Sequence, residues 1–142
     1  MEFKLIIDQD RKEEVIIYAR AENQLVKEIR DLVVNDSCLI AYKDDAVIKI
    51  SPSEVYCFTI ENNKLYAIME KERLQIKQRL YQVEELLGSG FVKINQSSIA
   101  NISKVERFRA SIGGSLVVIF KNGYKDYISR RQAKIVKERF GL

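Results

Sequence analysis

The chain has 142 residues, which is enough for one domain or for one domain with a small appendage. Hydrophobic residues make up 46% of it, which excludes a disordered chain. Histidine, the commonest general base and zinc ligand, is absent, and no paired carboxylates or glycine-rich phosphate loop stand out, so we expect no catalytic site, no metal and no cofactor.

The net charge of +4 conceals an uneven distribution along the chain. Residues 1–36 carry six basic and nine acidic side chains, and residues 37–90 carry seven and eight. Residues 91–142 carry eleven basic and three acidic side chains. This last third predicts a basic surface, either for a polyanion such as nucleic acid or as an ordinary solvated face.

The first 36 residues predict a small β-plus-α appendage. Residues 3–7 and 14–20 are typical of strands, and residues 22–33 of an amphipathic helix. That helix would bury a face formed by Leu25, Ile29, Leu32 and Val33. The polar residues 35–37 mark the boundary with a second domain over residues 37–142. The N-terminus lacks the features of a signal peptide, which favours a cytoplasmic location.

Residues 37–142 predict a mainly β domain. Short strands are expected over 38–43, 46–51, 54–61, 64–69 and 73–76, and three more after residue 104, joined at Gly-Gly and Asn-Gly turns. Two helical patterns accompany them, over 79–88 with Gly88 as a C-terminal cap, and over 129–140 with a Ser-x-x-Gln capping box. Strands at this spacing favour an antiparallel β-sandwich or a barrel with two short helices.

The two cysteines, Cys38 and Cys57, are both flanked by apolar residues. We expect them to be reduced thiols packed in the core.

A polar knot, Asn95-Gln96-Ser97-Ser98, interrupts the apolar pattern of residues 91–102. One interpretation is a turn held by bonds from side chains to the backbone. The other is a contact with nucleic acid, because Asn and Gln can pair with adenine and Ser can bond to bases or phosphates. Lys93 adds a charge that suits a phosphate.

Two further groups of polar residues admit the same alternatives. Arg130 and Arg131 occupy the first turn of the last predicted helix, where cations oppose the helix dipole unless an anion is bound nearby. Asn63 and Lys64 lie at a predicted hairpin tip, where the turn alone could explain Asn-Asn.

The order of these motifs resembles the LytTR family of bacterial DNA-binding domains over about residues 37–142. The resemblance rests on a series of motifs in a fixed order. A phenylalanine, a basic residue and a polar knot are followed by an asparagine next to a hydrophobic residue. Later come Asn-Gly and then Ser-Arg before a final helix. In this sequence they are Phe91, Lys93, Asn95-Gln96-Ser97, Asn101-Ile102, Asn122-Gly123 and Ser129-Arg130.

The resemblance implies an antiparallel β-fold that presents loops to successive major grooves of double-stranded DNA. Carried over position by position, the contacting residues are Asn63, Lys64, Lys93, Asn95, Gln96, Ser97, Arg130 and Arg131. It further implies a stand-alone transcription regulator without a receiver domain, acting as a homodimer on repeated half-sites. A regulatory membrane protein encoded nearby is implied as a partner. The alternatives are a non-catalytic protein-interaction or small-ligand module and, less favoured, an enzyme.

Overall fold

The computed structural model describes residues 2, 4–11, 14–34 and 39–142. It contains three α-helices, two short 3-10 helices (Pro52–Glu54 and Ile102–Lys104) and ten strands within this range, and its contacts divide the chain into two compact units, Met1–Val33 and Val34–Leu142. The helices are α1 (Gln24–Val34), α2 (Leu80–Leu86) and α3 (Arg130–Arg139). The strands are β1 (Leu39–Lys43), β2 (Ala46–Ile50), β3 (Cys57–Glu61), β4 (Lys64–Ile68), β5 (Arg73–Ile76), β6 (Phe91–Asn95), β7 (Ser98–Asn101), β8 (Val105–Ala110), β9 (Leu116–Phe120) and β10 (Lys125–Ile128).

The ten strands form two antiparallel sheets, which confirms the mainly β prediction. The larger sheet has seven strands in the order β2-β1-β5-β4-β3-β7-β6, and the smaller has three in the order β10-β9-β8. Hairpin connections account for most neighbours, but β5 lies between β1 and β4, and β7 pairs with β3. These two long-range pairings cannot be inferred from local patterns of hydrophobicity.

Two hydrophobic clusters cover opposite faces of the seven-stranded sheet. One includes Phe58, Ile99 and the α2 residues Leu80 and Val83. The other joins Cys57 and residues of β6 and β7 to the smaller sheet and to α3. Because neighbouring residues of a strand point to opposite faces, Cys57 and Phe58 belong to different clusters.

The hairpin turns contain the residues that positive φ angles require. Asn62 and Asn63 have φ angles of 52° and 63°, a geometry that suits the right-handed twist of β3 and β4. Gly123 connects β9 to β10 with a φ of 87°, where a side chain would be strained. The predicted hairpins at Asn-Asn, Gly-Gly and Asn-Gly are therefore confirmed.

The predicted strands over 3–7 and 14–20 are wrong, because no described residue before α1 lies in a strand. Their apolar side chains are exposed, with Ile6 at 85% and Ile16 at 59%. A strand needs a hydrogen-bonded neighbour, and the described part of this unit supplies none. Helix α1 is confirmed, although Leu25 and Val33 of its predicted buried face are exposed. Phe3 and the predicted boundary at 35–37 lie outside the described residues, as does the side chain of Leu32.

The two other helices differ from prediction at their ends. Leu87 leaves α2 in an extended conformation (φ −83°, ψ 140°), so the expected left-handed cap at Gly88 does not form. The hydroxyl of Ser129 accepts from the backbone N–H of Gln132 at 3.3 Å, as a helix cap should. The reciprocal half of the capping box is missing, since the Ser129 N–H donates to the carbonyl of Ile94 instead.

Cys57 is fully buried and carries a free thiol, as predicted, whereas Cys38 lies outside the described residues. No helix in the described ranges combines the length and the apolar composition needed to cross a bilayer.

Candidate nucleic-acid interface

Three polar loops meet at one end of the seven-stranded sheet. They are the β3–β4 tip, the β6–β7 turn and the junction of β10 with α3. Thr59 pairs with Ser98, so the end of β3 and the start of β7 lie side by side. The last residues of β6 lie at the same end because β6 pairs with β7. The antiparallel register therefore collects loops that are far apart in the sequence.

Backbone hydrogen bonds fix these loops relative to one another. Ile60 of β3 donates to the carbonyl of Ser97 at 2.9 Å. Ser129, just before α3, donates to the carbonyl of Ile94 at 2.9 Å, on the free edge of β6. The β6–β7 turn is thus held on one side by β3 and on the other by the start of α3.

The polar knot contains inward-facing and outward-facing residues. Asn95 is only 1% exposed, and its side-chain nitrogen donates to Tyr127 O at 2.8 Å and to Asp126 Oδ1 at 3.2 Å. Its side-chain oxygen accepts from the N–H of Ser97 at 2.8 Å. All the hydrogen-bonding groups of this amide are engaged inside the protein. The amide of Asn95 therefore faces the protein interior, and the predicted contact of Asn95 with a base stays a prediction that would require it to leave these partners.

The reason for the inward orientation is a β-bulge. The β6–β7 register shifts between Lys93 and Asn95, which breaks the alternation of the strand and leaves both Ile94 and Asn95 buried. Gln96 follows at the turn and is exposed, while Ser97 and Lys93 are half-buried. Of the four residues predicted here, three keep polar groups within reach of solvent.

Asn63 and Lys64 are exposed at the β3–β4 tip and line the same groove as Lys93 and Gln96. The groove has a volume of about 780 Å³ and also contains Tyr81, Glu84 and the segment joining β5 to α2.

That segment adds two basic residues that the sequence analysis missed, Lys77 and Arg79. Among the described residues none of the groove cations Lys64, Lys77, Arg79 and Lys93 forms an ion pair, whereas elsewhere Arg73 binds Glu61 and Lys43 binds Glu72. The only sequence signal for these two was a basic pair between a strand and a helix, which solvated surfaces also show.

Arg130 and Arg131 are exposed in the first turn of α3. Their position follows from Ser129, which caps the helix and is bonded to β6 beside the polar knot. Neither arginine lines the groove that holds Asn63, Lys64, Lys93 and Gln96. The structure therefore offers two adjacent basic areas, separated by the β6–β7 turn. We call the end of the domain that presents these three loops the loop face.

A partly buried carboxylate, that of Asp126, lies behind the loop face. Oδ2 accepts from the hydroxyl of Ser98 at 2.7 Å, and Oδ1 accepts from Asn95 and from the N–H of Tyr127. Burial raises the pKa of the nearby Cys57 thiol, and the negative charge of Asp126 raises it further. Burial and Asp126, in that order, also raise the pKa of the Tyr124 phenol.

Two asparagines of the motifs that resemble the LytTR family, Asn101 and Asn122, form hydrogen bonds inside the protein. Asn101 is buried, donates to the carbonyl of Val55 at 2.8 Å and accepts from Ser103. Asn122 donates to the carbonyl of Met69 at 2.9 Å and accepts from the N–H of Tyr124. These contacts explain why the chain needs an asparagine, and not a generic polar residue, at both positions.

Comparison with known proteins gives a family match over most of the second unit. The family described as the LytTr DNA-binding domain matches residues 45–141. An uncharacterized HTH-type transcriptional regulator of Staphylococcus aureus strain COL is 31% identical over 147 aligned positions, covering 100% of this chain and 99% of its own length. A protein of the same description from strain MW2 gives the same identity and coverage.

The fold is similar to a solved structure, the LytTr DNA-binding domain of a methyl-accepting/DNA response regulator from Bacillus cereus. The TM-score is 0.69 at 20% sequence identity, with 75% of this chain and 98% of that chain covered. In the described part of the present chain α1 and α2 are each followed by a strand, so among the described elements no two helices follow one another as in a helix-turn-helix.

Proposed function

Because the chain belongs to the LytTR family of DNA-binding domains and is a DNA-binding transcription regulator, we propose that it recognises double-stranded DNA with the loop face. The observation that carries this proposal is the convergence of three loops at one sheet end, with basic side chains on each side of the β6–β7 turn. The resemblance to the LytTR family implies that these loops enter successive major grooves on one face of a duplex.

Each residue of the loop face has a proposed role that follows from its chemistry. Gln96 and Arg131 contact base edges, because an exposed amide and a guanidinium can form paired hydrogen bonds there. Lys64 and Lys93 contact phosphates, where a compact charge without directional preference is sufficient. Asn63, Ser97 and Arg130 complete the surface with contacts to the DNA backbone. Catalysis and a cofactor have no part in this mode of action.

The test is a selection of preferred duplexes from random DNA, followed by binding measurements at several salt concentrations. We expect a preferred operator and a steep fall of affinity with salt. Gln96→Ala should lower the preference for the operator, while Lys93→Ala should weaken binding to every duplex. Lys49→Ala on β2 removes an exposed charge outside the groove and serves as the control. Weak binding without salt dependence would favour a ligand-binding or protein-interaction module instead.

We also propose that the chain acts as a homodimer on repeated half-sites, with residues 1–36 as the association element and 37–142 as the DNA-binding domain. The support is the exposed apolar surface in the first unit, at Leu5, Ile6, Ile7, Val15 and Ile16. Apolar side chains that are exposed in one chain can be covered by the same surface of a second copy. Sedimentation equilibrium of the full chain tests this proposal.

Two elements of the regulatory context are proposed on the resemblance to stand-alone LytTR regulators. The protein acts in the cytoplasm, where the chromosome lies, and a membrane protein encoded nearby controls it. A reporter driven by the selected operator, measured with and without the neighbouring membrane protein, tests this control. An unchanged reporter signal would remove that partner from the proposal.

A further inference from the structure

Asp126 occupies an unusual position for a charged residue. It lies on β10 opposite Val118, which is fully buried, so its side chain points into the space between the two sheets. The carboxylate accepts from Asn95, Ser98 and the Tyr127 N–H, and at a longer 3.4 Å from the hydroxyl of Tyr124. This set of donors stabilises a carboxylate that is partly removed from water.

Two of these donors, Asn95 and Ser98, flank the exposed turn. Asn95 precedes Gln96 and Ser97, and Ser98 follows them. One carboxylate therefore binds both ends of the turn, through Oδ1 on one side and Oδ2 on the other. The turn can shift only if at least one of these hydrogen bonds breaks.

The same network reaches the other two loops. Ser98 donates its only hydroxyl proton to Asp126, so the 2.9 Å bond between Ser98 and Thr59 has Thr59 as donor. Thr59 lies on β3, which leads to the β3–β4 tip. In the other direction, Asp126 precedes Arg130 and Arg131 by a few residues of β10. The Asp126 carboxylate is thus connected to all three loops, through hydrogen bonds to two of them and through its own strand to the third.

We propose that Asp126 is a positioning residue that sets the Gln96–Ser97 turn in register with the start of α3, and so determines operator specificity. This inference rests on the proposed function. Its physical basis is that base contacts need placement to a fraction of an ångström, while phosphate contacts by flexible lysines tolerate displacement. Loss of the carboxylate should therefore affect preference among sequences more than affinity for DNA in general.

Loss of the negative charge of Asp126 and loss of its hydrogen bonds should have different effects on DNA binding. Removal of a negative charge near the loop face would by itself strengthen binding to all duplexes. Loss of positioning should instead weaken binding to the operator. We expect Asp126→Ala to bind random duplex as well as or better than the unaltered chain, and to lose about tenfold in preference for the selected operator.

Asp126→Asn is the matched conservative variant, because it keeps the shape and one acceptor while the hydroxyls of Ser98 and Tyr124 can reverse their direction. We expect it to retain most of the preference. Ser98→Ala removes one of the bonds to Asp126 and its link to Thr59, and should cost about threefold in preference. It also provides the test if Asp126→Ala does not fold. All variants are compared under conditions where circular dichroism shows the folded chain.

The outcomes distinguish this inference from the proposed function. If the unaltered chain selects no operator, the proposed function fails and the positioning role fails with it. If the unaltered chain discriminates and folded Asp126→Ala and Ser98→Ala discriminate equally well, the positioning role alone is overturned. Amide hydrogen exchange at Ser97 supplies a second readout, since faster exchange in Asp126→Ala is expected if the turn has been released.

Discussion

The side-chain nitrogen of Asn95 lies 2.8 Å from the carbonyl oxygen of Tyr127, and this bond joins β6 to β10 directly behind the exposed turn. The polar knot therefore has two functions that the sequence does not separate. Asn95 and Ser98 hold the turn from inside, and Gln96 and Ser97 are presented outside. Neighbouring residues of similar chemistry should respond very differently to substitution.

The first prediction is a contrast between Asn95→Ala and Gln96→Ala. Asn95→Ala leaves the Ser97 N–H and the Tyr127 carbonyl without their partner, so the free energy of unfolding should fall by about 2–3 kcal/mol. Gln96→Ala should change it by less than about 0.5 kcal/mol, because the side chain is exposed. Urea denaturation measures both. Equal stability of the two variants would contradict the inward placement of Asn95.

The second prediction uses DNA binding on the same pair of positions. Gln96→Ala should cost roughly 1–3 kcal/mol on the selected operator, relax the preference at one base pair and leave random duplex unaffected. The salt slope should not change, because an uncharged amide releases no counterions. If the operator preference is unaltered in this variant, the β6–β7 turn is a structural feature and the base contacts lie elsewhere.

The third prediction concerns the groove cations that the sequence analysis missed. Lys77→Ala and Arg79→Ala should each weaken binding to operator and random duplex alike, and each should flatten the slope of log affinity against log salt by about one unit. Lys49→Ala removes the same charge outside the groove and should leave that slope unchanged. Equal effects of all three substitutions would mean that net charge matters and the groove does not.

The local elements of residues 39–142 could be predicted because turn residues and alternation encode them directly. Asn62, Asn63 and Gly123 adopt the positive φ angles that their hairpins require. The order of strands in the large sheet could not be predicted, since the β1–β5 and β3–β7 pairings depend on surfaces far apart in the sequence.

The candidate site was predicted at the level of loops and less well at the level of side chains. The orientation of Asn95 depends on a bulge that breaks the alternation on which sequence reasoning relies. The hydrogen bonds of Asp126 were missed because a single carboxylate next to a lysine on a short strand gives no signal of its own. In the first unit, apolar segments satisfied the strand pattern, but a pattern carries no information about the presence of a partner.

The fourth prediction follows from the raised pKa of the Cys57 thiol, which burial and Asp126 cause. A thiol that ionises more readily when unfolded stabilises the fold below its unfolded pKa of about 8.5 and loses that contribution as pH rises above it. The free energy of unfolding should then fall by about 1.4 kcal/mol per pH unit for this group. The raised pKa of Tyr124 should add a second fall above about pH 10.

Cys57→Ala isolates the thiol contribution, because it removes the titrating group from both states. The pH profiles of the two proteins, measured by urea denaturation between pH 7 and pH 10 or so, should diverge above the ordinary thiol pKa. In a Cys38→Ala background the remaining thiol should react with a thiol reagent only at the rate of unfolding. Rapid reaction in the folded protein would show that Cys57 is accessible and would contradict its burial in the core.

The last prediction concerns the exposed apolar residues of the first unit. Ile6→Asp and Ile16→Asp in the full chain should shift sedimentation toward the monomer, because a charge at a shared apolar surface opposes association. Affinity for one half-site should remain the same, since residues 37–142 hold the proposed contacts. Affinity for two half-sites should fall by at least about tenfold, because linked binding raises the effective concentration of the second domain.

The control is Tyr42→Asp, on β1 of the second unit, which places the same charge at a partly exposed aromatic position and should leave sedimentation unchanged. If the isoleucine variants remain as associated as the unaltered chain, the dimer contact lies outside these residues. If they become monomeric and also lose the preference for one half-site, residues 1–36 contribute to recognition itself.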